Sequence, residues 1–308
     1  MTGASGFVGL PAVAELARRG EQVHALTSRA SPPQLAGVRW HLADLGEESA
    51  VRALVEELRP DVLLHLAWYV EPGLFWEARE NVAWVERSLR LLRVFAEGGG
   101  RRAVMLGTCA EYDWSPAQGP LSEDSSPISP RTLYGVAKDA TRRVSEALAE
   151  RAGVELAWAR LFFLYGPREA PQRLVPSVIR SLLAGEPVST TLGTQRRDLL
   201  HVEDVARALA TLLESAVTGA VNIASGKAIT LAEVVDQIAL TVARPELVLR
   251  GVLADRPGEP SLLQADVRRL REEVGFRPEI RLDEGIDRTV AWWRAQGVGS
   301  AVAPAGRG

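Results

Sequence analysis

The sequence predicts an α/β protein built on a doubly wound parallel sheet, with a smaller, mostly C-terminal domain appended to it. Short, near-continuous apolar runs alternate with segments of helical periodicity through the first half of the chain. A glycine-rich turn, Thr2-Gly3-Ala4-Ser5-Gly6-Phe7-Val8-Gly9, opens directly into the first helical segment. After Gly166 the alternation weakens and Pro and Gly recur more often. With 308 residues, 46% hydrophobic and 24% charged, the chain can bury a sizeable core.

From Val8 to Ala17 apolar residues return at helical spacing, and Gly20 stops the run; Val23 to Leu26 then reads as a short buried strand. Val38 to Ala43 is a strand, Glu47 to Arg59 a helix, Asp61 to Ala67 a strand, Glu80 to Ala96 a helix and Ala103 to Leu106 a strand. A Pro- and Ser-rich loop from Ser115 to Pro130 precedes a long helix from about Tyr134 to Ala152 and a strand from Glu155 to Leu161. Tyr165-Gly166-Pro167, Arg256-Pro257-Gly258 and Pro260 mark a second half of loops and short helices. Trp292 and Trp293 fall on a final amphipathic helix, as core or as interface, and 297–308 reads as a flexible tail. Residues 1–165 with 196–225 are assigned to the sheet domain, and 166–195 with 226–296 to the smaller one.

Composition excludes several functions. A net charge of −3 gives no general attraction to nucleic acid, and no stretch approaches the roughly 18 apolar residues of a membrane span. No basic-then-apolar leader opens the chain, so a cytoplasmic protein is expected. The single cysteine, Cys109, rules out an intrachain disulfide and any multi-cysteine metal site, and no metal is expected. Of 36 basic residues only Lys138 and Lys227 are lysine. Arg18-Arg19, Arg142-Arg143 and Arg268-Arg269 fall at helical, polar-face positions and read as solvated faces.

The glycines of the opening turn permit a tight bend, close approach to a pyrophosphate and close packing of helix on strand, while the helix N-terminus attracts the phosphate charge. This marks the sheet domain as dinucleotide-binding, with Gly3, Ser5, Gly6, Phe7, Val8 and Gly9 at the phosphates. That context also demands a strand before the turn, and the sequence starts at Met1 with no run to form one. Either the true reading frame begins upstream, which is the expectation, or the sheet lacks a central strand. After the second strand, Ser28 and Arg29 stand where an acidic residue would accept the ribose hydroxyls of NAD. A guanidinium there suits the extra phosphate of NADP, with NAD as the alternative. Asp44, followed by Leu45, is placed to accept from an adenine amino group, or else to close an Asx turn before the next helix.

Tyr134-Gly135-Val136-Ala137-Lys138 puts Tyr and Lys four apart, on one helix face. An ammonium beside a phenol favours its phenolate, so the hydroxyl can exchange a proton near neutral pH, and the lysine can also bond a ribose.

Together these segments resemble the extended short-chain dehydrogenase/reductase family, whose members are NAD(P)-dependent nucleotide-sugar epimerases, dehydratases and ketoreductases with a Rossmann-like fold. The resemblance spans nearly the whole chain. It rests on Thr2 to Gly9, His65-Leu66-Ala67, Asn81, Tyr134 to Lys138, Tyr165-Gly166-Pro167, Arg197-Asp198, His201-Val202-Glu203-Asp204, Asn222 and Arg256-Pro257-Gly258-Glu259. It implies Thr108, Tyr134 and Lys138 as catalytic residues, with Thr108 holding the reacting sugar oxygen, Tyr134 passing it a proton, and Lys138 setting the ribose and the Tyr134 pKa. Leu66, Ala67 and Asn81 would join the cofactor site. Cys109, Ala110, Phe163, Arg197 and Arg256 would meet a nucleotide-diphosphate sugar, the two arginines at its phosphates unless an ion pair such as Arg197 with Asp204 engages them. His201, Glu203 and Asp204 are structural in the family.

The family's dehydratases carry Asp-Glu after the threonine as the acid and base of water elimination, and here Cys109 and Ala110 stand there. Phe163 replaces a frequent Asn, pointing to a less polar, deoxygenated sugar. These departures favour an NADPH-dependent 4-ketoreductase of a nucleotide-linked 4-keto-6-deoxyhexose, within deoxysugar biosynthesis. A nucleotide-sugar 4-epimerase with bound NAD is the alternative, and a non-enzymatic NADP-binding regulator the third. The resemblance also implies a homodimer pairing the 81–96 and 134–152 helices as a four-helix bundle; Val85, Leu89 and Leu92 suit that face, or the core.

Overall fold

The computed structural model describes residues 1–28, 30–114 and 119–298. The first half runs α1 (Gly9–Arg18), β1 (Val23–Thr27), β2 (Val38–Leu42), α2 (Glu48–Leu58), β3 (Val62–His65), α3 (Glu80–Glu97), β4 (Arg102–Thr108), α4 (Leu133–Ala152) and β5 (Glu155–Leu161). It continues with β6 (Phe163–Tyr165), α5 (Leu174–Leu183), β7 (Val188–Ser189), β8 (Arg196–His201), α6 (Val202–Glu214) and β9 (Gly219–Ile223). The chain then forms β10 (Ala228–Thr230), α7 (Leu231–Val242), β11 (Val248–Leu249), β12 (Leu262–Leu263), α8 (Arg268–Glu272) and α9 (Leu282–Ala295). Four of the five expected strands move at their ends, β1 and β2 by one residue and the next two by more. The 61–67 strand pairs only over β3, and the 103–106 strand extends to Thr108 because each of its residues finds a partner in β5.

β3, β4, β5 and β9 form one parallel sheet in the order β3-β4-β5-β9, and β1 pairs parallel with β2. Met1 and Thr2 join the two sets. Met1 donates its amine to the His24 carbonyl (2.7 Å) and accepts from the Leu26 amide (2.8 Å), while Thr2 donates to Leu64 O (3.0 Å) and accepts from Leu66 N (3.3 Å). Two residues therefore make the central pairing for which the sequence shows no strand-length run.

Helices cover both faces. Ala12, Val13 and Leu16 of α1 pack with Val205, Leu209 and Leu212 of α6 on one side; Val51, Val55, Leu91, Phe95 and Ala149 of α2, α3 and α4 pack on the other. Burial on both faces explains why β4 is apolar almost throughout, since a strand exposed on one side would alternate. Leu92 is fully buried in that second core, so it serves packing and not an outer face; Val85 and Leu89 are half-buried.

A second sheet sets β10, β8 and β12 side by side with β6 also on β8. Beside it α5, α7 and α9 close a third core around Tyr165, Ile179, Ile238, Ile286 and Trp293. Its helices are longer than the short ones expected, 12 residues in α7 and 14 in α9, because Pro and Gly fall mainly between them. Trp293 is core, with Trp292 packed edge-on against it at 4.8 Å. Residues 299–308, most of the expected tail, lie outside the described residues. Among the described residues no helix is long and apolar enough to cross a membrane.

Candidate functional site

The opening turn is held by backbone geometry. Gly3 has φ +66, and a side chain there would lie 2.7 Å from Ala67 N and 2.8 Å from the Leu66 carbonyl carbon; a Cβ at Gly9 would come within 2.0 Å of Gly3 O. Gly6 N bonds Gly3 O (3.1 Å), and Ser5 Oγ accepts from Thr27 Oγ1 (3.1 Å). Phe7 and Val8 lead into α1, whose N-terminus no side chain caps, so the partial positive charge of the helix end, about +0.5, has no side-chain partner there. Under the turn, the Thr2 hydroxyl meets His65 Nδ1 at 2.6 Å and His65 Nε2 meets Ser88 Oγ at 2.9 Å; burial holds this imidazole neutral, its pKa lowered to about 3. A turn closed so tightly that a side chain at Gly3 or Gly9 would strike backbone, before an uncapped helix, fits a dinucleotide pyrophosphate.

The other cofactor positions divide. Ser28 is exposed beyond β1, and Arg29 lies outside the described residues. Asp44 accepts from Gly46 N (2.8 Å), the Asx turn, while remaining exposed; Leu45 is buried and its carbonyl takes Arg90 (3.0 Å). Asn81 is fully buried and spent internally. Its Nδ2 donates to Phe75 O (2.7 Å) and Ala78 O (2.9 Å), and its Oδ1 accepts from the Trp68 indole (2.9 Å).

β4 and α4 bring the predicted catalytic residues together. Thr108 ends β4, and its hydroxyl accepts from Ala110 N (3.2 Å), opening a short 3-10 turn, Cys109–Glu111. Thr132 caps α4 by accepting from Gly135 N (3.1 Å), so Tyr134 and Lys138 fall in its first turns. Gly135 allows the contact, because a Cβ there would sit 2.5 Å from Ala110 O. Tyr134 lies beside Thr108, whose hydrogen bond partly offsets the burial that drives the phenol pKa upward. Lys138, 3% exposed, donates to Leu106 O at 2.8 Å, and burial brings its pKa down to about 7.

An aromatic wall surrounds this group and was not foreseen in the sequence. Phe75 and Trp76 meet Tyr134 edge-on at 4.9 and 5.8 Å, and Trp68 covers the Lys138 ammonium with its centroid 3.8 Å from Nζ. Four aromatics in residues 68–76 were the available signal. Cys109 is buried, its thiol pushed up to about 12, and Ala110 is apolar; neither exchanges protons near neutrality. Arg197 stacks over Phe163 at 5.5 Å and is tied by Glu259 (2.7 Å) and Pro260 O (2.9 Å). Its ion-pair partner is Glu259, whereas Asp204 takes Arg207 and the amides of Glu279 and Ile280. Arg256 is on the exposed 251–259 loop. His201 caps α6 through Glu203 N (3.3 Å). The arginine pairs are engaged by acids, Arg18 and Arg19 by Glu15, Arg142 by Asp139 and Glu146, and Arg269 by Glu273.

A family model for the NAD dependent epimerase/dehydratase family matches residues 1–224. A dTDP-glucose 4,6-dehydratase of Xanthomonas campestris is 27% identical over 95% of this chain and 92% of its own. A dTDP-4-dehydro-6-deoxy-D-allose reductase of a Streptomyces species is 28% identical over 96% and 95%. Among solved structures, MoeE5 in complex with UDP-glucuronic acid and NAD is 32% identical over 96% of this chain and 98% of its own, with a TM-score of 0.82.

Proposed function

The chain belongs to the NAD dependent epimerase/dehydratase family, and from that premise we propose that it reduces the 4-keto group of a nucleotide-linked 4-keto-6-deoxyhexose at the expense of NADPH. The observation that carries this reading is the triad itself, Thr108, Tyr134 and Lys138, followed by Cys109 and Ala110. The set can exchange a proton with a sugar oxygen, and the positions that would serve water elimination hold a thiol pushed up to about 12 and a methyl group. The similarity to a 4-dehydro-6-deoxyhexose reductase supports it.

A nicotinamide held at this turn would supply the hydride. The turn at Gly3 to Gly9 would hold its pyrophosphate, with Leu66 and Ala67 beside it. Thr108 donates a hydrogen bond to the keto oxygen, Tyr134 delivers the proton that makes it a hydroxyl, and Lys138 lowers the cost of the phenolate left behind. Trp76 and Phe163 offer apolar faces to a sugar lacking its 6-hydroxyl, and Arg197, held over Phe163, faces the diphosphate. Arg29 supports NADPH, while the NAD in the similar solved protein supports NAD. Two copies pair through α3 and α4.

The test mixes the protein with NADPH or NADH and a dTDP-4-keto-6-deoxyhexose and follows the nicotinamide absorbance. Steady oxidation that falls by a factor of about 10² to 10⁴ in Tyr134→Phe is expected. Conversion of a nucleotide sugar to its 4-epimer without net cofactor consumption would instead establish the epimerase reading.

A further inference from the structure

The three residues that end β4 are gripped from two directions. Leu106 gives its carbonyl to Lys138 (2.8 Å), and Thr108 gives its amide to the carboxylate of Glu111 (2.8 Å). Gly107 between them has no room for a side chain, since a Cβ would lie 2.1 Å from Trp158 Nε1 and 2.6 Å from Glu111 Oε1. Glu111 is fully buried and its remaining valences are filled: Oε1 and Oε2 accept from the Trp158 indole (2.9 and 3.1 Å), and Oε2 pairs with Arg160 Nε at 2.7 Å. Arg160 continues to the Tyr112 hydroxyl (3.0 Å), which donates to Asn222 Oδ1 (2.9 Å) on β9. A buried ion pair gives little net stability against an apolar alternative, so its place directly beneath the reacting residues calls for another explanation.

We propose that Glu111 is a positioning residue for the reaction: its carboxylate, fixed by Arg160 and Trp158, holds the Thr108 amide and with it the end of β4, whose Leu106 carbonyl takes the Lys138 ammonium. This rests on the reading of Thr108, Tyr134 and Lys138 as the reacting set. Around Lys138 stand Tyr134 one turn earlier on its own helix, the neutral His65 from β3, the Trp68 ring and the Leu106 carbonyl. Among the described residues Glu111 is the acidic group whose charge acts on it, opposing the burial that brings its pKa down to about 7.

Because Lys138 and Lys227 are the only lysines, protein grown on 13C-lysine shows two ε-carbon resonances, and Lys227→Arg assigns them. In Glu111→Gln the amide still accepts from Thr108 N but carries no charge. The Lys138 resonance is expected to titrate at least about half a pH unit lower than in the wild type. The basic limb of kcat for keto-sugar reduction should move down with it, with KM within about twofold and up to about tenfold of the rate lost at neutral pH per unit moved. Glu111→Gln with Arg160→Met provides the same comparison without an unpaired buried guanidinium. Unchanged Lys138 titration in both variants would overturn the proposal, as would a lower Tm with an unmoved pH limb. The resonance needs no substrate, so absence of keto-sugar reduction in the wild type would count against the function while leaving the role of Glu111 decided by the titration.

Discussion

Burial changes what individual residues can do, and Glu169 shows it away from the triad. It follows β6, is 9% exposed, and its Oε2 has no hydrogen-bond partner among the described residues. Burial raises its pKa to about 8, with the guanidinium of Arg173 pulling the other way. A carboxyl held above its unfolded value contributes stability that is present below about 4.5 and lost as pH climbs through about 8. Glu169→Gln should therefore raise Tm at pH 9, by about 2–4 °C per kcal/mol recovered, and change it little at pH 5. Thermal melts at the two pH values check this, and equal shifts at both would refute it. Asn81 illustrates the opposite case. The family resemblance implied a cofactor role for it, yet its side chain anchors Trp68 and the 75–78 turn.

Among the secondary-structure elements, the contact between α4 and the 3-10 turn after β4 decides whether a site exists. Thr132 starts α4 in the right phase and Gly135 lets it lie against Ala110 O, which places Tyr134 beside Thr108. Gly135→Ala would suit the helix by propensity, by roughly 1 kcal/mol. It nevertheless puts a methyl 2.5 Å from Ala110 O and 2.9 Å from Pro130 Cβ, so α4 must shift. We expect about a 10²-fold loss of kcat, the cost of moving reacting groups by an ångström, with helix content by circular dichroism unchanged. Activity within twofold of wild type would mean that the turn yields and α4 does not.

For the whole molecule, the outer sides of α3 and α4 matter most. Val82 on α3 and Val136 and Val144 on α4 are 53%, 47% and 50% exposed, and these replace Leu92 as the apolar residues available to a second copy. The proposed dimer would bury them. Val136→Glu with Val144→Glu should turn a dimer into a monomer by light scattering while nicotinamide binding persists, because neither side chain enters the site. A monomeric wild-type protein would refute the pairing.

How much was legible follows the range of the interactions. Alternating apolar runs announced the parallel sheet and the helices on both its faces, since burial on two faces and on one stripe leaves different periods in a sequence. The opening glycine turn and the Tyr134–Lys138 spacing were readable because each is confined to one turn or two. Thr108 was reached through resemblance, and only the packing of β4 against α4 brings it to a phenol 26 residues away. For Asp44 the Asx turn, one of the two readings of the sequence, is what forms, with Gly46 N as its donor, whereas for Arg197 a neighbour 62 residues on, Glu259, takes the ion pair expected of Asp204. Glu111 left no trace at all in the sequence, because one carboxylate on a turn looks like any solvated acid until Trp158, Arg160 and the end of β4 close around it. By itself the sequence determined the fold class, the opening glycine turn and the Tyr-Lys pair, all short-range patterns; the tertiary structure decided which charges are buried, with whom, and therefore what their pKa values become.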